Sequence, residues 1–202
     1  MNPRSAAIVP LILLVLANCG SSPKTHFFTL AVVPGAARDK GSIAYPVTVA
    51  AVHVPPSLDR RAMVRRTGET TVEVSDQDRW AAPLDEMARN VLSQDLLDRL
   101  PKDKVVLPES PAPPKTAQIV VSISQFGPDA TGNITLHGSW SLVDDAQGEP
   151  LLRRNVTLES NSPAENGASE AAAMSQLLGQ LASQIASTLP GSLRSPDGRS
   201  TR

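Results

Sequence analysis

The sequence predicts an α+β fold: a single domain built on an antiparallel-rich mixed sheet, with two amphipathic helices on one face. Three observations carry this. Ala117 to Phe126, Asn133 to Val143 and Leu151 to Leu158 alternate apolar and polar residues, the period of half-buried strands. Two longer stretches repeat apolar residues every three or four positions, as helices with one buried face do. Strands and helices do not follow the regular β-α-β rhythm of an α/β sheet.

Taken in order, His26-Phe27-Phe28-Thr29-Leu30 is a short β-rich run, and Pro46 to Val54 is a second strand, stopped by Pro55-Pro56. Ala62 to Arg66 and Thr70 to Val74 flank Thr67-Gly68-Glu69, which predicts a hairpin with Val72 and Val74 inward and Thr71 and Glu73 outward. Trp80 introduces the first helix, with Pro83 in its first turn, where no backbone donor is needed. Leu84, Met87, Ala88, Val91, Leu92, Leu96 and Leu100 form its apolar stripe, opposite Asp85, Glu86, Arg89, Gln94 and Asp98. Pro101 ends it. Lys102 to Thr116, rich in proline, predicts an extended loop around a short strand at Val105-Val106-Leu107. The three alternating strands follow as a meander, with turn chemistry at Gly127-Pro128-Asp129 and Asp144 to Gly148. Ser169 to Leu189 is the second helix, with Met174, Leu177, Leu178, Leu181, Ile185 and Leu189 on one side and Gln176, Gln180 and Gln184 on the other. Pro190-Gly191 is expected to stop it, leaving residues 191–202 as a disordered tail.

Cys19 is the one cysteine of the chain. It follows an apolar run, Ala6 to Ala17, preceded by Arg4, the layout of a secretory signal over residues 1–18. That run is too short to span a bilayer, which takes ~20 apolar residues. Leu16-Ala17-Asn18-Cys19 resembles the lipobox of bacterial lipoproteins, in which the cysteine is acylated and the chain is cut before it. Leu16 and Ala17 fit that pattern; Asn18 departs from it, since the peptidase usually takes a smaller residue there. The other reading is an ordinary secretory signal and an incidental thiol. With the signal removed, 18 basic residues (19 less Arg4) face 20 acidic ones. That near balance argues against nucleic-acid binding and against a polybasic membrane anchor, so the lipid itself must hold the chain. One acyl chain binds only marginally, and several hold firmly. Residues 20–25 are then a short polar tether of roughly 20 Å. No cysteine pair exists to form a disulfide, and an aromatic content of 3% calls for an aliphatic core.

Chemistry is scarce. His26, His53 and His137 are far apart in sequence, without a second ligand at metal spacing, so no metal site is expected. No serine stands in a nucleophile elbow, and no phosphate loop or dinucleotide fingerprint is present. Asp144-Asp145 with Gly148 and Glu149 lacks the ligand alternation of a cation loop. An enzyme is not expected, and an envelope hydrolase is the weakest alternative. Two features exceed background. A stiff turn, Val54 to Arg60, ends in Leu58-Asp59-Arg60, where Asp59 is either a local cap or a contact. Trp80 is either a core plug or a binding anchor.

In order and spacing, these segments resemble the ABC-type transport auxiliary lipoprotein family. The resemblance is carried by Phe27 to Leu30 after the lipid cysteine and by the strand running into Pro55 with Leu58-Asp59-Arg60. It continues through Trp80, Pro83-Leu84, Val91-Leu92 and Leu96 to the Ser/Ala/Leu/Gln-rich last helix. It implies a domain over residues 26–190 of an outer-membrane lipoprotein facing the periplasm, without cofactor. Its implied work is docking a periplasm-spanning mammalian-cell-entry (MCE) domain protein of a lipid transport system to the outer membrane. The acyl chains on Cys19 would meet the membrane, Leu58, Asp59, Arg60, Arg65 and Trp80 are the candidate contacts for a partner, and a homo-oligomeric ring of such chains would hold the bridge by avidity. The competing class is a periplasmic structural or assembly lipoprotein.

Overall fold

The computed structural model describes residues 23–35, 43, 45–143 and 150–192. Leu16 to Cys19, the 144–148 turn and residues 193–202 lie outside the described residues. The elements are β1 (His26–Phe28), β2 (Val47–His53), β3 (Ala62–Arg66), β4 (Val72–Trp80), α1 (Leu84–Arg99), β5 (Val105–Val106), β6 (Ala117–Pro128), β7 (Asn133–Val143), β8 (Pro150–Pro163) and α2 (Gly167–Ser192). A 3-10 turn, Lys102–Lys104, precedes β5.

The strands form two mixed sheets rather than one. A five-stranded sheet runs β5-β2-β6-β7-β8, and a three-stranded sheet runs β1-β4-β3. The β6-β7-β8 meander is antiparallel as expected. Its inner face buries Ile119, Val121, Ile123, Leu136, Trp140, Leu142 and Val156, and a register shift between Ile123 and Gln125 rephases β6 so that Phe126 also points inward. Parallel pairing of β2 with β5 and β6 was not legible in the strand periodicity. The route from β2 to β6 carries the β3–β4 hairpin and α1, a long crossover of the kind parallel neighbours need.

Helix α1 has Pro83 at its N-cap, just ahead of the first turn, and ends at Arg99 with Leu100 extended. The predicted apolar stripe is buried throughout, and α1 packs on β2, β5 and α2. Helix α2 packs on β6, β7 and β8 with its predicted stripe fully enclosed. It starts under an Asn166 side chain that accepts the Ala168 and Ser169 N–H groups, each at 3.0 Å. It runs past Pro190-Gly191 to Ser192, since a proline in the last turn removes one hydrogen bond without ending the helix. The core is aliphatic apart from Trp80, Phe126 and Trp140.

Two local expectations are corrected. Trp80 closes β4, and Val72 and Val74 are 52% and 42% exposed. Alternation correctly gave a strand there. Helix α2 meets the opposite face of this arm, where Arg65 reaches Glu170, and the β-branched residues of the other face stay at the surface.

Candidate functional site

The polar groups that matter cluster around the chain's entry into the domain. After β1 the backbone leaves the sheet and becomes a strap, Thr29 to Gly35, seated between the two helices. Leu30 is buried in the core, and the Ala31 N–H donates to Ser175 Oγ of α2 at 3.0 Å. The Val33 N–H donates to Asp95 Oδ1 of α1 at 2.8 Å. Both terminal nitrogens of Arg99 donate to the Val33 carbonyl at 3.2 Å, Nη1 donates to the Asp95 carbonyl at 2.7 Å, and Nε donates to Ser183 Oγ at 2.9 Å. Small residues make room for this: a β-carbon on Gly179 would stand 2.9 Å from Val33, and one on Gly35 would strike the Arg99 guanidinium at 2.6 Å. Burial pushes the Asp95 carboxyl up to about 6, against the Val33 N–H and the Arg99 charge 3.6 Å away. Asp95 Oδ2 is enclosed and, among the described residues, has no hydrogen-bond partner.

A second cluster joins the small sheet to α2. Arg65 on β3 donates from Nε to Glu170 Oε2 at 2.8 Å and from Nη2 to Asp78 Oδ2 at 3.2 Å. His26 Nδ1 lies 3.4 Å from Asp78 Oδ1. Burial lifts the Glu170 carboxyl above its usual range, against the pull of the Arg65 guanidinium. Burial draws Arg65 down, but its two carboxylate partners outweigh that and leave it raised.

The stiff turn after β2 is closed by Leu58 N–H to Pro55 O at 2.9 Å and Arg60 N–H to Leu58 O at 2.8 Å. Leu58 packs partly against the core, while Asp59 and Arg60 are exposed. No hydrogen bond to the Asp59 carboxylate is found among the described residues, so its side chain is not the cap of this turn. Leu58 also lines a cleft of about 60 Å³ with Val64, Val72, Phe126 and Pro128.

The structure thus separates the five candidate contacts. Leu58, Asp59 and Arg60 share one exposed turn. Arg65 is half-buried and committed to Glu170 and Asp78. Trp80, 3% exposed, has no surface to offer a partner; its indole is a core plug. Sequence reasoning missed the strap and its Asp95–Arg99 clasp. An acid and an arginine four residues apart on a helix usually signal a solvated pair. The one signal available was spacing: Asp95 and Arg99 stand three and seven residues after Leu92, on the buried side of the helix. Among the described residues no three of His, Cys, Asp or Glu stand together as a metal site, and no helix is long and apolar enough to cross a membrane.

This arrangement of two helices over two mixed sheets is shared with solved proteins. A crystal structure of a Xanthomonas campestris protein matches with a TM-score of 0.68 at 15% identity, covering 83% of this chain and 96% of that one. A crystal structure of an uncharacterized protein matches with a TM-score of 0.62 at 21% identity, covering 85% of this chain and 100% of the other. At those identities the likeness is one of fold. The family follows from the sequence match: residues 28–186 fit the ABC-type transport auxiliary lipoprotein component, and the chain belongs to that family. Its relatives include the intermembrane transport lipoprotein PqiC of Escherichia coli (strain K12), 27% identical over 154 residues, 75% of this chain and 80% of that protein. The Shigella flexneri PqiC matches with the same figures.

Proposed function

We propose that this auxiliary lipoprotein serves intermembrane transport as an outer-membrane bracket. Acyl chains on Cys19 fix it to the periplasmic face, and the Leu58-Asp59-Arg60 turn grips the outer end of a periplasm-spanning MCE-domain protein. The observation that carries this reading is the family match over residues 28–186, which runs from β1 to near the end of α2. The role needs no catalysis. A lipid anchor, a short tether and a clasped entry strap suit a part whose work is to stand in one place. Several copies around one bridge would hold it by avidity even if each contact were weak.

The test is capture of an MCE-domain protein from detergent-solubilised envelopes of the same bacterium. Co-elution with the native chain, and its loss with Leu58→Asp or Arg60→Glu, is the expected result. Absence of co-elution, together with unchanged envelope sensitivity on deletion, would remove the docking role. Mass spectrometry of the mature amino terminus tests the anchor separately: a triacylated Cys19 is expected.

A further inference from the structure

The direction of β1 fixes which end of the molecule meets the membrane. β1 pairs with β4 in parallel, His26 opposite Asp78 and Phe28 opposite Trp80. The amino end of β1, where the tether enters, therefore points the same way as the amino end of β4, where the β3–β4 hairpin turns. From Asp78 back to Val72 is six residues, or roughly 20 Å of strand. From His26 back to Cys19 is seven residues, at most about 24 Å of extended chain. Tether and hairpin thus reach about equally far in one direction. An extended tether brings the acylated residue level with the hairpin tip, Thr67 to Thr71.

At that tip stand Val72 and Val74, the two exposed valines of β4, beside the apolar cleft floored by Leu58, Val64 and Phe126. We infer that this hairpin end is a membrane-resting surface, Val72 and Val74 seated among the lipid headgroups while the acyl chains of Cys19 enter the bilayer next to them. The inference rests on the acylation of Cys19 in the function proposed above. Charge does not drive the contact: Arg66 is flanked by Glu69, Glu73 and Asp76, so the tip is net acidic and anionic lipid gains nothing there. The contact is apolar and short-ranged. It needs little affinity of its own, because the anchor supplies a high local concentration. Its effect is orientation. It stands the domain upright, with the carboxyl end of β4, where the Arg61 carbonyl accepts the Trp80 N–H, directed away from the bilayer.

The experiment uses the full-length lipidated protein, in which acylation blocks Cys19 and leaves an introduced cysteine as the reactive thiol. Val72→Cys and Gln184→Cys are each labelled with bimane and reconstituted into phosphatidylethanolamine/phosphatidylglycerol vesicles carrying headgroup nitroxide lipids. Gln184 is exposed on α2, about 25 Å along the helix from Gly167, which contacts Phe28. Quenching several-fold greater at position 72 than at 184, unaffected by salt, is expected. Val74→Thr should reduce it without changing the circular dichroism spectrum. Equal quenching at the two positions overturns the inference while leaving the anchor intact. A mass spectrum showing bare Cys19, with labelling at two thiols, overturns the anchor and this placement with it.

Discussion

At Gly138 a β-carbon would stand 2.4 Å from the Ser122 carbonyl oxygen and 3.0 Å from Ile123 Cα, inside the β6–β7 ladder. Neither backbone can give way without breaking paired hydrogen bonds, so Gly138→Ala is expected to destabilise by about 3 kcal/mol or more, read as a lowered denaturation midpoint. Asp95 offers a test of sign. Its carboxyl is pushed from 3.8 up to about 6 by burial, so the folded chain holds that proton more tightly than the unfolded chain does. The stability it contributes is full below about pH 4 and is lost as pH rises through about 6, a swing of about 3 kcal/mol. Asp95→Asn keeps an oxygen for the Val33 N–H and removes the titration. Urea midpoints across this range should fall with rising pH in the native chain and lose that component in the variant. An identical slope in both would show that the clasp does not titrate.

Among elements, Arg65 ties the small sheet to α2. Glu170 is 1% exposed and Arg65 reaches it at 2.8 Å, so Arg65→Met leaves an acid in the interior with no cation. The expected loss is about 2–4 kcal/mol, below the full value for a buried pair because the Arg65 side chain is partly solvated. The double variant Arg65→Met/Glu170→Gln should recover most of it, since the uncompensated charge, and not the missing bond, carries the loss. A double variant no better than the single one would place the damage in packing instead. The same element shows what a sequence conveys. The strands of the meander and the stripe of α2 were legible because burial imposes a period, and Ile119, Val121, Leu142, Met174 and Leu181 all sit where the period put them. Alternation reports that a strand has two faces; it does not report which neighbour covers either one. Val72 and Val74 were therefore expected inside, and the parallel seat of β2 beside β6 was not foreseen. Nor was the Arg65–Glu170 pair, because its members lie 105 residues apart in the chain and meet only through the fold.

For the whole molecule, the candidate site divides the same way. The turn at Leu58–Arg60 was visible from its prolines, while the strap that joins the tether to the body was hidden in Ala31-Val32-Val33-Pro34-Gly35, whose partners are supplied by both helices. In the anchored form proposed above, that strap decides how a load on Cys19 reaches the fold: first through the short pairing of β1 with β4, and then into the clasp of Asp95, Arg99, Ser175 and Ser183. A wedge at Gly179, where Val33 leaves no room for a β-carbon, should loosen that transmission without touching the core stripe of α2. Gly179→Val is expected to keep its circular dichroism spectrum and remain membrane-bound, yet become open to proteolysis between Leu30 and Gly35. Cys19→Ser should do the reverse, staying protease-resistant but moving to the soluble periplasmic fraction, and it should reproduce the envelope phenotype of a deletion. If the serine variant were released and the envelope stayed sound, position at the membrane would not be what the cell uses this domain for.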